Sequence, residues 1–106
     1  MGVRAVRIDT LSELVVALCK DYERRAFAIK QNRCSRRVST EMRFINYKIL
    51  EAARELVGDE AQIYIREIGS RTGYASSALE TVSEVAYKRK KAEVTANIAR
   101  KLYLSD

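Results

Sequence analysis

Apolar residues recur at three- and four-residue steps through most of this chain, the spacing that lines one face of an α-helix. Leu11, Leu14, Val15, Leu18, Tyr22, Ala26 and Ile29 form a first stripe, with Glu13, Lys20, Asp21, Arg24 and Arg25 turned toward water. Thr10 and Glu13 have capping-box spacing, so a helix is predicted over residues 10–31, preceded by a basic arm, residues 1–9, that is extended or frayed. Val38, Met42, Ile45, Ile49, Ala52, Ala53 and Leu56 predict a second helix over residues 38–57. Ser35 or Ser39 can cap it, and Gly58 supplies a left-handed stop.

Asp59 with Gln62 offers another capping box, and Ala61, Ile63, Tyr64, Ile65 and Ile68 carry a third helix over residues 59–72 that weakens at Gly69 and stops by Gly73. The last helical region begins at Ser76 or at Ser83, giving residues 76–104 or 83–104, with Val85, Ala92, Ile98, Ala99, Leu102 and Tyr103 able to face inward. The 106 residues include no proline and only four glycines, and Ala, Leu, Glu, Arg and Lys are plentiful. The expectation is one all-α domain, a compact four-helix unit with a C-terminal helix-turn-helix-like half.

Charge narrows the function. The net charge is +6, which favours polyanions through long-range attraction. Four of the cations are consecutive: Lys88, Arg89, Lys90 and Lys91, in the segment Ser83-Glu-Val-Ala-Tyr87-Lys-Arg-Lys-Lys91. On a helix, successive residues lie about 100° apart, so this run spreads charge around more than half the cylinder. A nucleic-acid phosphate backbone is the partner such a spread suits. A second basic group, Arg33, Arg36 and Arg37, could extend the phosphate surface if its loop folds beside the last helix.

Two alignments of the C-terminal half are open. In the first, residues 65–82 resemble a helix-turn-helix unit: Gly69 would let a second helix cross closely, Gly73 would make the turn, and Leu79 and Val82 would hold the second helix against the first. Thr72, where that family usually has an apolar residue, and the acidic Glu80 and Glu84 depart from the pattern. In the second, Ser83, Tyr87, the basic run and Ile98 resemble the last helix of phage transcriptional regulators of the autolysin-regulator type, which are similar to region 4 of sigma factors. That resemblance implies a helix in the major groove, with Tyr87, Lys88 and Lys91 near bases or phosphates and Ser83 capping toward the backbone. The competing reading of the cations is a solvated helix flank that pairs with Glu84 and Glu93.

Catalysis finds no support in the residues, which include no histidine, no Cys-x-x-Cys, no nucleophile elbow and no phosphate-binding glycine loop. No metal-ligand spacing, cofactor motif or small-molecule substrate site is recognisable. Cys19 and Cys34 read as free thiols, Cys34 among arginines that would lower its thiol pKa if exposed. Without a long apolar run or a secretory signal pattern, a cytoplasmic protein with no membrane partner is expected.

The sequence therefore points to a small DNA-binding protein, a phage or mobile-element transcription regulator, not an enzyme. Its candidate contacts are Ser83, Tyr87, Lys88, Arg89, Lys90 and Lys91, with Arg36 and Arg37. RNA is not separated from double-stranded DNA by any motif present. A homodimer through the 38–57 helix would double the phosphate contacts. The alternative is a phage-encoded interaction module, an adaptor or inhibitor that docks on a host nucleic-acid enzyme.

Overall fold

The computed structural model describes residues 2–31, 35–79 and 82–104, with side chains from Leu11 to Tyr103. Among them are the helices α1 (Gly2–Lys20), α2 (Tyr22–Lys30), α3 (Arg36–Val57), α4 (Ala61–Ser70) and α5 (Glu84–Ala99), the last widening into a π-helical turn at Arg100–Leu104. No strand lies among the described residues. The fold is all-α, and because α1 and α2 are one run bent at Asp21 (φ −94°, ψ 5°), it has four helical runs.

The bend is held by side chains. Arg25, expected at the surface, is buried, and its guanidinium turns back to donate from Nη2 to the Leu18 carbonyl (2.6 Å) and from Nε to Asn46 Oδ1 on α3 (2.7 Å). Asn46 in turn donates to the Tyr22 carbonyl at 3.1 Å. Buried charge is tolerated only when its donors are met, and here α1, α2 and α3 share that task. Burial pulls the Arg25 pKa down, opposed chiefly by Asp21.

α3 follows its sequence pattern closely. Ser35 Oγ accepts from the Val38 amide at 3.3 Å, Gly58 stops the helix at φ 59°, and Ile49, Ala52 and Ala53 face the core. α5 runs antiparallel to it. Buried Asn97 donates to the Ala52 carbonyl (2.8 Å) and to Glu55 Oε1 (3.0 Å), and a turn later Lys101 meets Glu55 (2.7 Å) and Glu51 (3.6 Å).

α4 runs antiparallel to α1, Gln62 reaching Tyr22 at one end and Arg71 meeting Glu13 (2.6 Å) at the other. Between them Gly69 lies against the α1 backbone, where a Cβ would stand 2.6 Å from the Lys20 amide nitrogen. The close approach expected of Gly69 is real, but its neighbour is α1 instead of a following helix. Val15, Ile49, Tyr64, Ile65, Tyr87, Val94 and Ile98 fill the centre. Full burial of one such aliphatic side chain stabilises by about 1.5–3 kcal/mol.

Four further expectations are corrected. The basic arm of residues 1–9 is helical from Gly2 onward, since nothing in that stretch breaks a helix. Asp59 and Gln62 do not form a capping box: Asp59 belongs to the 3-10 turn Gly58–Glu60, and Glu60 begins α4 without a side-chain cap. The phase of α5 is set by Tyr87, Val94 and Ile98, leaving Val85 75% exposed.

The fourth concerns the connection between α4 and α5. α4 ends at Ser70, Arg71 takes the left-handed conformation (φ 57°, ψ 33°), and Gly73 is extended (φ −87°, ψ 173°). Among the described residues of the connection, 71–79 and 82–83, the one helical piece is the 3-10 turn Tyr74–Ser76. Ser77 Oγ takes the Leu79 amide at 3.0 Å, a local bond that competes with helix formation. This connection is a long strap instead of the tight turn of a helix-turn-helix. The last helix begins at Ser83, whose Oγ accepts from the Ala86 amide at 3.2 Å.

Candidate nucleic-acid interface

Once Ser83 sets the start of α5, helical period decides which members of the basic segment point inward. Tyr87 does: it is 1% exposed, stacked on Tyr64 (ring centroids 6.1 Å, interplanar angle 25°) and tilted against Tyr74 (5.8 Å, 55°). Its hydroxyl lies 2.9 Å from Glu67 Oε1 and 3.1 Å from the Thr72 carbonyl oxygen. Burial first, and then the bond to Glu67, push the phenol pKa up to about 12. Tyr87 is therefore a core residue, which corrects its expected place beside nucleic-acid bases.

Glu67, which the sequence pattern did not single out, is the hub of this region. The residue is 4% exposed, and its carboxylate accepts from Ser77 Oγ (2.7 Å), the Ala78 amide (2.8 Å) and the Tyr87 hydroxyl. Burial raises its pKa, but the bonds from Ala78, Ser77 and Tyr87 together outweigh this and hold it below the ordinary glutamate value. The available signal was position: Glu67 stands three residues after Tyr64 and beside Ile68, on the buried face of α4.

Lys91 also belongs partly to the fold. Its Nζ donates to the Thr72 carbonyl at 2.6 Å and sits 5.5 Å from the centre of the Tyr87 ring. Partial burial pulls its pKa down, while Glu67 pushes it back up. Together Glu67 and Lys91 fasten the strap to α4 and α5.

Of the other three cations, Lys88 and Arg89 are exposed and Lys90 is half-buried. Lys88 pairs with Glu84 at 2.8 Å and Lys90 with Glu93 at 3.5 Å, the pairs of the solvated-flank reading. Arg89 is exposed and has no partner among the described residues. Exposed pairs at these spacings are worth about 0.3–0.5 kcal/mol, so neither lysine is withdrawn from competition for a phosphate.

Arg36 and Arg37 lie elsewhere. Both are exposed in the first turn of α3, where Arg37 makes only a 3.8 Å pair with Glu41. The antiparallel register, Asn97 against Ala52, puts Lys88 through Lys91 past the opposite end of α3. A 22-residue helix spans about 33 Å, so the two basic groups do not form one surface. Arg33, Cys34 and Glu80 lie outside the described residues.

α3 also carries exposed aromatic residues, Phe44 at 55% and Tyr47 at 60%, with Val38 at 39%. Lys48 Nζ stands 5.6 Å from the Phe44 ring centre, and the Tyr47 hydroxyl donates to Glu51 at 3.3 Å. No helix among the described residues is long and apolar enough to cross a membrane. No family model, curated protein or solved structure matches the chain.

Proposed function

We propose that this protein binds DNA as a small regulator would, gripping the phosphate backbone with the solvent-facing cations of α5 and reading no base with Tyr87. The observation that carries this reading is the grouping of Lys88, Arg89 and Lys90 within one turn of a capped helix, held by nothing stronger than exposed ion pairs. The net charge of +6 adds long-range attraction. Fluorescence anisotropy with labelled duplex DNA at several salt concentrations tests it. Each phosphate contact contributes about 0.9 to the slope of log affinity against log salt, so Lys88→Ala, Arg89→Ala and Lys90→Ala together should flatten it by roughly two to three units. Absence of binding at low salt overturns the reading.

A second reading, an interaction module, is favoured by Phe44 and Tyr47 standing exposed one turn apart on α3. The occupant proposed for this face is a second copy of the chain. Two copies of α3 laid against each other would cover Phe44 and Tyr47, which the fold of one chain leaves exposed. Sedimentation of the wild type and of a Phe44→Ser, Tyr47→Ser variant tests it: the wild type should dimerise and the variant should not. A monomer mass for the wild type over a wide concentration range overturns the dimer.

A further inference from the structure

Where the strap passes α5 it leaves an open groove of about 310 Å³, lined among others by Gly73 and Tyr74 on the strap and by Lys88, Lys91, Ala92 and Thr95 on the helix. Lys88, Lys91 and Thr95 follow at three- and four-residue steps and so share a face, with the Tyr87 ring as the floor between helix and strap. Among the described residues, no carboxylate lines this groove. Three other clefts are each lined by both signs of charge: Lys20 and Arg66 with Glu23 in one, Arg100 with Glu93 in the next, and Arg54 with Glu51 and Glu55 in the third.

The lysines retain donors for a ligand. Lys91 uses one of its three N–H groups on the Thr72 carbonyl, and Lys88 is 68% exposed with Glu84 as its exchangeable partner. On the opposite wall Gly73 presents bare backbone: a Cβ there would meet nothing within 4 Å. A tetrahedral anion can therefore approach from the open side with cations on one flank and the bare Gly73 backbone on the other.

We propose that this groove seats a phosphodiester of the nucleic-acid backbone, held between Lys88 and Lys91 with its sugar against Tyr74 and Ala92. The proposal rests on the DNA-binding reading above and deepens it: the strand crosses α5 on the side of the strap, while Arg89 and Lys90 act from the outer face.

Gly73→Glu tests the groove, since position 73 has an ordinary φ of −87° and free space, so the substitution places a carboxylate at the groove wall without disturbing the fold. Ala75→Glu, exposed on the strap but outside the groove, makes the same change in net charge and serves as the control. Labelled duplex DNA and a labelled single strand of the same length are titrated with wild type and both variants, folding being checked by thermal melting. Gly73→Glu should weaken binding at least tenfold with whichever strand form the wild type binds, while Ala75→Glu stays within about twofold. Wild-type binding that Gly73→Glu leaves unchanged, or that both variants weaken equally, overturns the groove and leaves the DNA reading standing. Failure of the wild type to bind either form overturns both.

Discussion

The Tyr87 hydroxyl sits 2.9 Å from the Glu67 carboxylate, a phenol of α5 closing on a buried acid of α4. The bond links helices separated in sequence by the whole strap, and it removes from the surface the aromatic group that a base-reading helix would use.

Tyr87→Phe should therefore act on stability and not on binding. Removing a hydroxyl that contacts a buried carboxylate should cost about 1–2 kcal/mol, read from urea unfolding. DNA affinity, where the wild type binds, should stay within about twofold. A tenfold loss of affinity with unchanged stability would return Tyr87 to the interface.

Glu67 should make stability depend on pH. Its folded pKa is depressed, so its contribution is fully present above the unfolded value of about 4.3 and is lost as pH falls through the folded value. Glu67→Gln should be less stable than the wild type by about 1–3 kcal/mol at neutral pH, because an amide cannot accept from all of the donors a carboxylate satisfies. That gap should narrow below pH 4. Unfolding curves at neutral pH and at pH 3 that differ from the wild type by the same amount would contradict the assignment.

Two glycines of α4 and the strap should respond in opposite ways to the same change. Gly69→Ala drives a methyl group into the Cys19–Lys20 backbone and should destabilise by about 1–3 kcal/mol or more. Gly73→Ala meets open space at an ordinary φ and should be neutral or stabilising by up to about 1 kcal/mol, through the unfolded chain. Thermal melts of the two variants side by side settle the comparison.

Cys19 should be inert in the native protein. Burial, only partly opposed by Arg25, pushes its thiol up to about 12, so almost no thiolate exists near neutral pH. In a Cys34→Ser variant, alkylation at pH 8 should be slow when folded and fast in denaturant. Equal rates in the two states would show that the site is open.

The sequence was most legible where the signals are local. The helix over residues 38–57 has a serine cap, a glycine stop and an unbroken stripe within a few residues of one another, and α3 matches it to within two residues. The α5 segment offers only Val85 and Tyr87 as large apolar markers in its first two turns, and they belong to different faces. Which one turns inward is decided by Glu67 and Thr72, far away along the chain. Arg25 misleads in the same way, because its acceptors on Leu18 and Asn46 come together only when the first helical run bends. For the candidate interface, the cations and the pairing of Lys88 and Lys90 with Glu84 and Glu93 were legible; the share of Lys91 taken by the fold and the remoteness of the Arg36–Arg37 end were not.

The α1–α4 crossing at Gly69 differs in kind from the rest of the interior. Elsewhere in a core, one side chain can grow if a neighbour shrinks, because volume is exchangeable between facing residues. The three atoms nearest a Cβ at Gly69 are all backbone: the amide nitrogen and Cα of Lys20 and the carbonyl carbon of Cys19. Trimming a neighbouring side chain therefore makes no room for a larger residue there; relief would require the two helices themselves to move apart.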